Sequence, residues 1–364
     1  MIPYGRHEFD GTENAAVADV LASGWISQGP AVESFESEIC AATEARHAVA
    51  FSSGTAALHA AAAACGIGHG SRVATSSLSF VASANCARYV GADVEFVDID
   101  PNTLNMALED VSPATDALVA VHYAGLPVDW QRLAVRPAVV IEDAAHALGA
   151  ATPDGPVGNC ARSDVCVFSL HPVKSITSAE GGVATTNSDD AARAMRAFRN
   201  GGMERRPGLD PWAYEIRRIG FNYRMSDVHA AIGGAQIKRL SRFITRRNTL
   251  ADRYDRLLAD LPVTRAPRPQ SGTRHARHLY PIRVDHRRTV YERMHARGVG
   301  VQVHYVPIHH QPLYHRDGHG DAPSVLVHTE AAYARLLSLP LYPSLTFTQQ
   351  DVIAEALSEA LTEA

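Results

Sequence analysis

Between about residues 47 and 186, short apolar runs rich in β-branched residues alternate with stretches of helical spacing, and few folds accept that pattern. Strands separated by helices pair in parallel, because each crossover needs a helix to carry the chain back across the sheet. Runs at 48–52, 94–98, 117–122, 138–142, 164–169 and 182–186 predict strands. Several are apolar throughout, as expected of strands covered on both faces. The alanine-rich stretch 55–65, with 81–90 and 189–199, predicts the intervening helices. The expectation is an α/β large domain around a mostly parallel central sheet.

Beyond Asp227 the character changes. Apolar positions at Ile232, Ile237, Leu240 and Ile244 predict one long helical stretch running on through Tyr254 and Leu258. A proline-rich break, Leu261-Pro262 to Pro267-Arg268-Pro269, follows. Then 279–284 predicts a strand, 289–297 a helix, 299–305 a second strand and 348–361 a terminal helix. This is the pattern of a smaller C-terminal α+β domain. The division is drawn at 1–240 and 241–364, although the long helix could belong to either part.

The formal charge of −5 leaves no basic excess with which to neutralise a nucleic-acid backbone, so nucleic acid is not an expected partner. A local anion site stays open, since it needs only a few backbone N–H groups. Five cysteines, an odd number with no C-x-x-C pair, are expected as free thiols. No apolar signal core follows Met1, and no apolar stretch is long enough for a bilayer. The cytoplasm is the expected compartment. Eighteen histidines raise the question of a metal, and His309-His310 and His315 cluster near the C-terminus. No H-E-x-x-H or comparable ligand spacing accompanies them, so no metal centre is expected.

Three motifs carry chemistry. In Ser52-Ser53-Gly54-Thr55-Ala56-Ala57-Leu58 a strand ends in small hydroxyl residues and a helix begins. The free N–H groups of that first turn suit a phosphate, although alone the turn reads first as a plain N-cap. In Ile141-Glu142-Asp143-Ala144-Ala145-His146 an acid stands at the end of a buried strand, where α/β proteins bind ligands. It could keep a pyridinium nitrogen protonated or equally cap the next segment. The third motif is Ser169-Leu170-His171-Pro172-Val173-Lys174, continuing through Glu180-Gly181-Gly182. Lysine is scarce in this chain, Lys238 being the only other. A lysine in a protected loop, where arginine supplies nearly all other positive charge, points to Schiff-base chemistry that a guanidinium cannot perform.

Together these motifs resemble the DegT/DnrJ/EryC1/StrS sugar aminotransferases, which are fold type I pyridoxal-phosphate enzymes. The likeness also takes in Ile2-Pro3-Tyr4, Gly29-Pro30, Phe35-Glu36 and Gly220-Phe221-Asn222-Tyr223-Arg224-Met225. The resemblance implies a fold type I transferase that binds pyridoxal 5'-phosphate. Lys174 would carry the cofactor and move the proton, and Asp143 would pair with the pyridine nitrogen. Phe80 would stack on the ring, Gly54, Thr55 and Ser169 would hold the phosphate, and His146 would lie near the ring oxygen. Asn222 would reach the phosphate from a neighbouring subunit, which implies a homodimer with shared active sites.

Within the family, the opening Ile-Pro-Tyr, residues 24–30 and the stretch Val303-His304-Tyr305-Val306-Pro307-Ile308-His309, continuing through Gln311-Pro312-Leu313-Tyr314, most resemble members of the pseudaminic-acid type. Those aminate C4 of a UDP-linked 4-keto-6-deoxy-N-acetyl-hexosamine, with glutamate as donor. The resemblance implies that Tyr4, Trp25, Ile26, Ser27, His304, Tyr305 and Pro307 contact substrate. Trp25, Ile26 and Ser27 depart from the Phe-Leu-Thr frequent in that subgroup. Three alternatives stand beside this reading: amination of a dTDP- or GDP-linked keto-sugar at C3 or C4, a pyridoxal-phosphate lyase or desulfurase, and a non-catalytic cofactor-binding sensor.

Overall fold

Seven strands pair into one sheet: β1 (His47–Phe51), β2 (Arg72–Ser76), β3 (Asp93–Val97), β4 (Ala117–Val121), β5 (Val139–Asp143), β6 (Val165–Ser169) and β7 (Gly182–Thr186). The computed structural model in which they are seen describes residues 1–205, 207–316 and 326–362. The side chain of His315 and residues 317–319 of the histidine-rich stretch lie outside the described residues. The strand order is β1-β7-β6-β5-β4-β2-β3. Every pairing is parallel except those of β7, which runs antiparallel to both β1 and β6. The mostly parallel sheet expected from the alternating pattern is therefore present.

Helices α1 (Thr12–Ser23), α2 (Pro30–Thr43), α3 (Gly54–Ala64), α4 (Ala82–Tyr89) and α5 (Asp189–Arg199) surround it. Alanine explains α3: it favours helix, and its small side chain lets the helix lie close against the sheet. Residues 56–62 are all buried there. On that face Val49, Val119, Ile141 and Val167 form one core with α3 and α4. On the other, Ala50, Cys166, Phe168 and Val183 pack with Phe35 and Ile39 of α2. Burial of a side chain such as Phe35 contributes about 1.5–3 kcal/mol.

Two sequence expectations in the C-terminal part are corrected. The single helix expected from 227 to 258 is two, α6 (Asp227–Ile237) and α7 (Leu240–Leu257). The helices separate at Lys238-Arg239, where Arg239 is drawn to Asp10 at 2.7 Å and to Glu13. Periodicity missed the break because the apolar spacing runs straight through it. Early in α7, Phe243 and Ile244 still face the sheet, whereas Leu250, Ala251 and Tyr254 enter a second core. That core is built on an antiparallel pair, β8 (Tyr280–Arg283) and β9 (Leu336–Leu339), with α8 (Arg287–Ala296) and α10 (Phe347–Thr362). Helix α9 (Val327–Arg335) leads into β9.

The strand expected at 299–305 is absent as a ladder. Val299 and Val301 are buried in the second core, as their alternation suggests, but the backbone makes only the isolated bridges Ile2 to Val299 and Gln302 to Ser338. Strands β2 and β9 were not anticipated. All five cysteines are free, with Cys86, Cys160 and Cys166 buried. Among the described residues, no helix is long and apolar enough to cross a membrane.

Candidate active site

A cavity of about 390 Å³ opens at the carboxyl edge of the sheet. It is lined by Asp143, His146, Ser169, Lys174, Gly54, Thr55, Phe80, Tyr4, His304 and Tyr305, so the three motifs meet in one place. Topology brings them there. The last residues of β1 and β6 lie opposite the first residue of β7, with Phe51 and Ser169 both paired to Gly182. A Cβ on Gly182 would stand 2.4 Å from the Ser53 carbonyl oxygen, so only glycine lets the turn into α3 come this close.

The same crowding shapes the head of α3. A Cβ on Gly54 would meet the Ser169 side chain at 3.1 Å. Ser53 caps the helix by accepting a hydrogen bond from the Ala56 amide at 3.1 Å, as its position suggested. The turn stays open to the cavity, which Gly54, Thr55 and Ser169 line together, and a helix start of this kind suits an anion.

Asp143 is the last residue of β5 and is only 5% exposed. Its Oδ1 accepts from the Ala145 amide at 3.1 Å, and its Oδ2 accepts from the Ser83 hydroxyl at 2.6 Å. Ser83 is itself 2.7 Å from the Ser79 hydroxyl. The carboxylate is therefore aimed by α4 and the loop before it, the loop that also presents Phe80, whose ring is 54% exposed over the cavity. Sequence reading missed Ser79 and Ser83. Their i,i+4 spacing in a turn of small residues was the available signal, but it does not say which strand end they face.

Lys174 sits on the loop joining β6 to β7. That loop is pinned at its base: the Leu170 amide donates to the Gly181 carbonyl at 2.9 Å, and the Ser178 amide donates to the Leu170 carbonyl at 3.0 Å. Desolvation lowers the amine to about 8, against the opposing pull of the Asp143 carboxylate. A useful fraction is then free amine near neutrality. Behind the loop, Arg247 is buried and donates to the carbonyls of Leu341 at 2.8 Å and Lys174 at 3.5 Å. It ties the loop to the second core and was not foreseen.

Three imidazoles close the other wall. His146 Nε2 lies 3.0 Å from the Tyr305 hydroxyl, and its ring centroid is 4.4 Å from that of His278, a residue the sequence reading did not select. Burial, then the nearby lysine, holds His146 well below the usual imidazole range. His278 is lowered by burial and by its neighbour His146, and His304 falls to about 4 through burial and Lys174. All three are neutral at physiological pH. His146 Nδ1 and His278 Nδ1 are buried with no hydrogen-bond partner among the described residues, so a polar ligand group would satisfy them.

The residues present fit pyridoxal phosphate: an anion cradle, a buried carboxylate, an exposed aromatic ring, orphaned imidazole nitrogens and one depressed amine share a cavity. Five candidate residues stand elsewhere. Pro307 is buried in the turn beyond Tyr305, and its carbonyl accepts from the His310 amide. Trp25 and Ile26 are 60% and 56% exposed, with Ser27 bridged to Ser226. Asn222 is exposed and bridged to Asn200. A larger hollow of about 840 Å³ lies beside this surface, lined by Gln28, Arg196, Arg199, Asn200 and Arg224, and contains no lysine.

The sequence profile of the DegT/DnrJ/EryC1/StrS aminotransferase family matches residues 7–358. The chain is 36% identical to the spore coat polysaccharide biosynthesis protein SpsC of Bacillus subtilis (strain 168), over 99% of this chain and 97% of that protein. It superposes on Helicobacter pylori PseC, an aminotransferase involved in the biosynthesis of pseudoaminic acid, with a TM-score of 0.91 and 29% identity across 100% of both chains. Spr1654 from Streptococcus pneumoniae in its PMP form is equally similar in fold, with a TM-score of 0.91 and 26% identity over 100% of both chains.

Proposed function

Because this chain belongs to the DegT/DnrJ/EryC1/StrS aminotransferase family, whose sugar aminotransferases use pyridoxal phosphate, we propose that it moves an amino group from glutamate to C4 of a UDP-linked 4-keto-6-deoxy-N-acetyl-hexosamine. The observation that carries the catalytic part is the meeting of Lys174, Asp143 and the head of α3 in one cavity. The likeness to PseC supports the sugar.

When bound, pyridoxal phosphate supplies an electron sink next to the amine-bearing carbon. In our reading Lys174 attaches the cofactor. Its Nζ would take the proton from the amino-acid Cα in the first half-reaction and give a proton to the amine-bearing sugar carbon in the second. Asp143, fixed by Ser83 and the Ala145 amide, holds a proton on the pyridine nitrogen. Gly54, Thr55 and Ser169 would hold the phosphate, Phe80 would cover the ring, and His146, kept neutral, would lie beside the ring oxygen. Tyr4, His304 and Tyr305 meet the sugar from the opposite wall.

We further propose a homodimer with shared active sites. The exposed surface of Trp25, Ile26 and Phe221 would be covered by a second copy, with Asn222 reaching the phosphate in the neighbour's cavity and residues 25–27 and Pro307 shaping the sugar site. Residues 1–240 would form the cofactor-binding domain, 241–364 the smaller one, and the cytoplasm would be the compartment.

The test is the product formed from glutamate and UDP-4-keto-6-deoxy-N-acetyl-hexosamine. The mass should report a ketone replaced by a primary amine, with one 2-oxoglutarate released per turnover. The alternative outcome is amination of a dTDP- or GDP-linked keto-sugar at C3 or C4. Turnover of those sugars with none of the UDP-sugar would decide for it.

A further inference from the structure

The histidine pair that the cofactor chemistry leaves unused lies outside the cavity and meets an acid. His309 Nε2 and His310 Nε2 each stand 2.7 Å from the same oxygen, Oε1 of Glu330. One ligand atom from each of the three side chains falls within 4.8 Å of the others, the one such grouping among the described residues. We propose that His309, His310 and Glu330 bind a divalent cation, with zinc as the best match to the donor set. Two imidazole nitrogens and one carboxylate oxygen are a ligand set zinc takes with a fourth position left for water.

The three side chains arrive from two separately anchored elements. The turn carrying both histidines is fixed to the end of β2: the Ile308 amide donates to the Ser77 carbonyl at 2.9 Å, and the His309 amide donates to the Ser77 hydroxyl at 3.1 Å. The His310 amide closes the turn on the Pro307 carbonyl at 3.0 Å. Glu330 is in the first turn of α9, whose start is clamped by Asp98. The Asp98 carboxylate accepts from the amides of His328 and Thr329, both at 2.8 Å, and from the Thr329 hydroxyl at 2.7 Å. The ring of His310 also rests against Tyr333, with centroids 5.5 Å apart.

His309 has the outer partner that a metal-bound imidazole needs. Its Nδ1 lies 2.6 Å from the Ser77 hydroxyl. Without a cation, that hydroxyl can donate to Nδ1 while Nε2–H points at Glu330. With a cation on Nε2, the proton moves to Nδ1 and the serine oxygen accepts it, which fixes the tautomer. Bonds of about 2.0–2.1 Å in a tetrahedral site hold donor atoms about 3.3 Å apart, so the side chains would open each imidazole–carboxylate distance, 2.7 Å here, by about 0.6 Å. They have room: the side chains of His309, His310 and Glu330 are 14%, 34% and 45% exposed. A bound cation would tie the segment after Tyr305 to α9 and to the end of β2, outside the transamination site.

The experiment titrates cofactor-loaded, chelator-treated protein with zinc chloride by isothermal calorimetry, alongside His310→Ala and Glu330→Gln, whose folding is checked by circular dichroism. One equivalent per chain is expected in the wild type, weakened by at least about tenfold in each variant and by about tenfold in Ser77→Ala. Zinc should also raise the wild-type thermal midpoint and raise that of both ligand variants by less at the same concentration. The absence of a stoichiometric site, or an unchanged isotherm in either correctly folded ligand variant, overturns the assignment. Neither readout depends on which sugar is aminated.

Discussion

The floor of the cavity and the surface formed by residues 203–205 and 207–222 lie on the same chain but are finished to different degrees. At the floor, Asp143 is buried, each carboxylate oxygen has a donor, and Lys174 sits on a loop closed by backbone hydrogen bonds. Outside it, a ladder of only two residues, Met203–Glu204 with Glu215–Ile216, carries side chains into the open. Trp212 is 76% exposed and Ile219 is 82% exposed. Trp25 and Ile26, 60% and 56% exposed, lie on a segment tied to the start of α6, where the Ile26 carbonyl accepts from the Asp227 amide and Ser27 is bridged to Ser226. Clustered exposed apolar side chains mark a surface that binds something. The difference teaches that the floor is closed by contacts within one chain, whereas the exposed segment is the part we assign to a second copy.

The largest expected effect breaks the floor. Lys174→Ala should abolish the visible absorbance of attached cofactor and reduce amino transfer by about 10⁴-fold or more. Stopped-flow absorbance with glutamate checks it, and near wild-type turnover would remove Lys174 from the centre of the chemistry. Next comes Asp143→Asn, which keeps the shape and removes the charge. Loss of one preorganised electrostatic partner should lower kcat/KM by about 10²–10³-fold while cofactor remains bound.

The third effect tests the other side of the comparison. Lys174→Ala and Asn222→Ala proteins, each nearly inactive, are mixed and allowed to exchange subunits. In a symmetric dimer with shared sites, half the molecules become mixed and each mixed dimer owns one intact site, so roughly a quarter of wild-type activity should return. Exchange shown by mass spectrometry without any recovery would place Asn222 outside the neighbour's site.

What was legible in the sequence follows the same division. The strand ends bearing Asp143 and Ser169 and the head of α3 could be read because buried strands, glycine and helix starts leave local signatures. Lys174 stood out through scarcity. Strand β2 escaped because Arg72–Ser76 holds one valine among small and polar residues, and it is the ladder on both sides that makes it a strand. The break between α6 and α7 escaped because the apolar spacing continues through it, while the ion pairs of Arg239 at that point run to Asp10 and Glu13, far away in sequence. Ser83, His278 and Arg247 act through neighbours more than fifty residues distant, so no local pattern announces them. The histidine pair carries no ligand spacing of its own because its third partner, Glu330, comes from a helix with no motif linking it to them.

The smallest effect concerns the protonation of the floor and sharpens the account of it. Lys174 is lowered from 10.5 to about 8, chiefly by desolvation. The rate at which cofactor-free protein attaches pyridoxal phosphate should therefore rise with pH through a midpoint near 8, since only the free amine attacks. Asp143 works in the opposite direction, favouring the ammonium form. Asp143→Asn should then move the midpoint below its wild-type position, whereas a purely structural lesion would slow attachment without moving it. Stability obeys the same sign. Between about 8 and 10.5 the unfolded chain holds more protons on this lysine than the folded one. The lysine's contribution therefore makes cofactor-free protein more stable as pH rises through that window, and the advantage is lost as pH falls through about 8. Denaturant midpoints for wild type and Lys174→Met across that range would separate this contribution from the rest, and parallel curves would show that the lysine is not desolvated in the free protein.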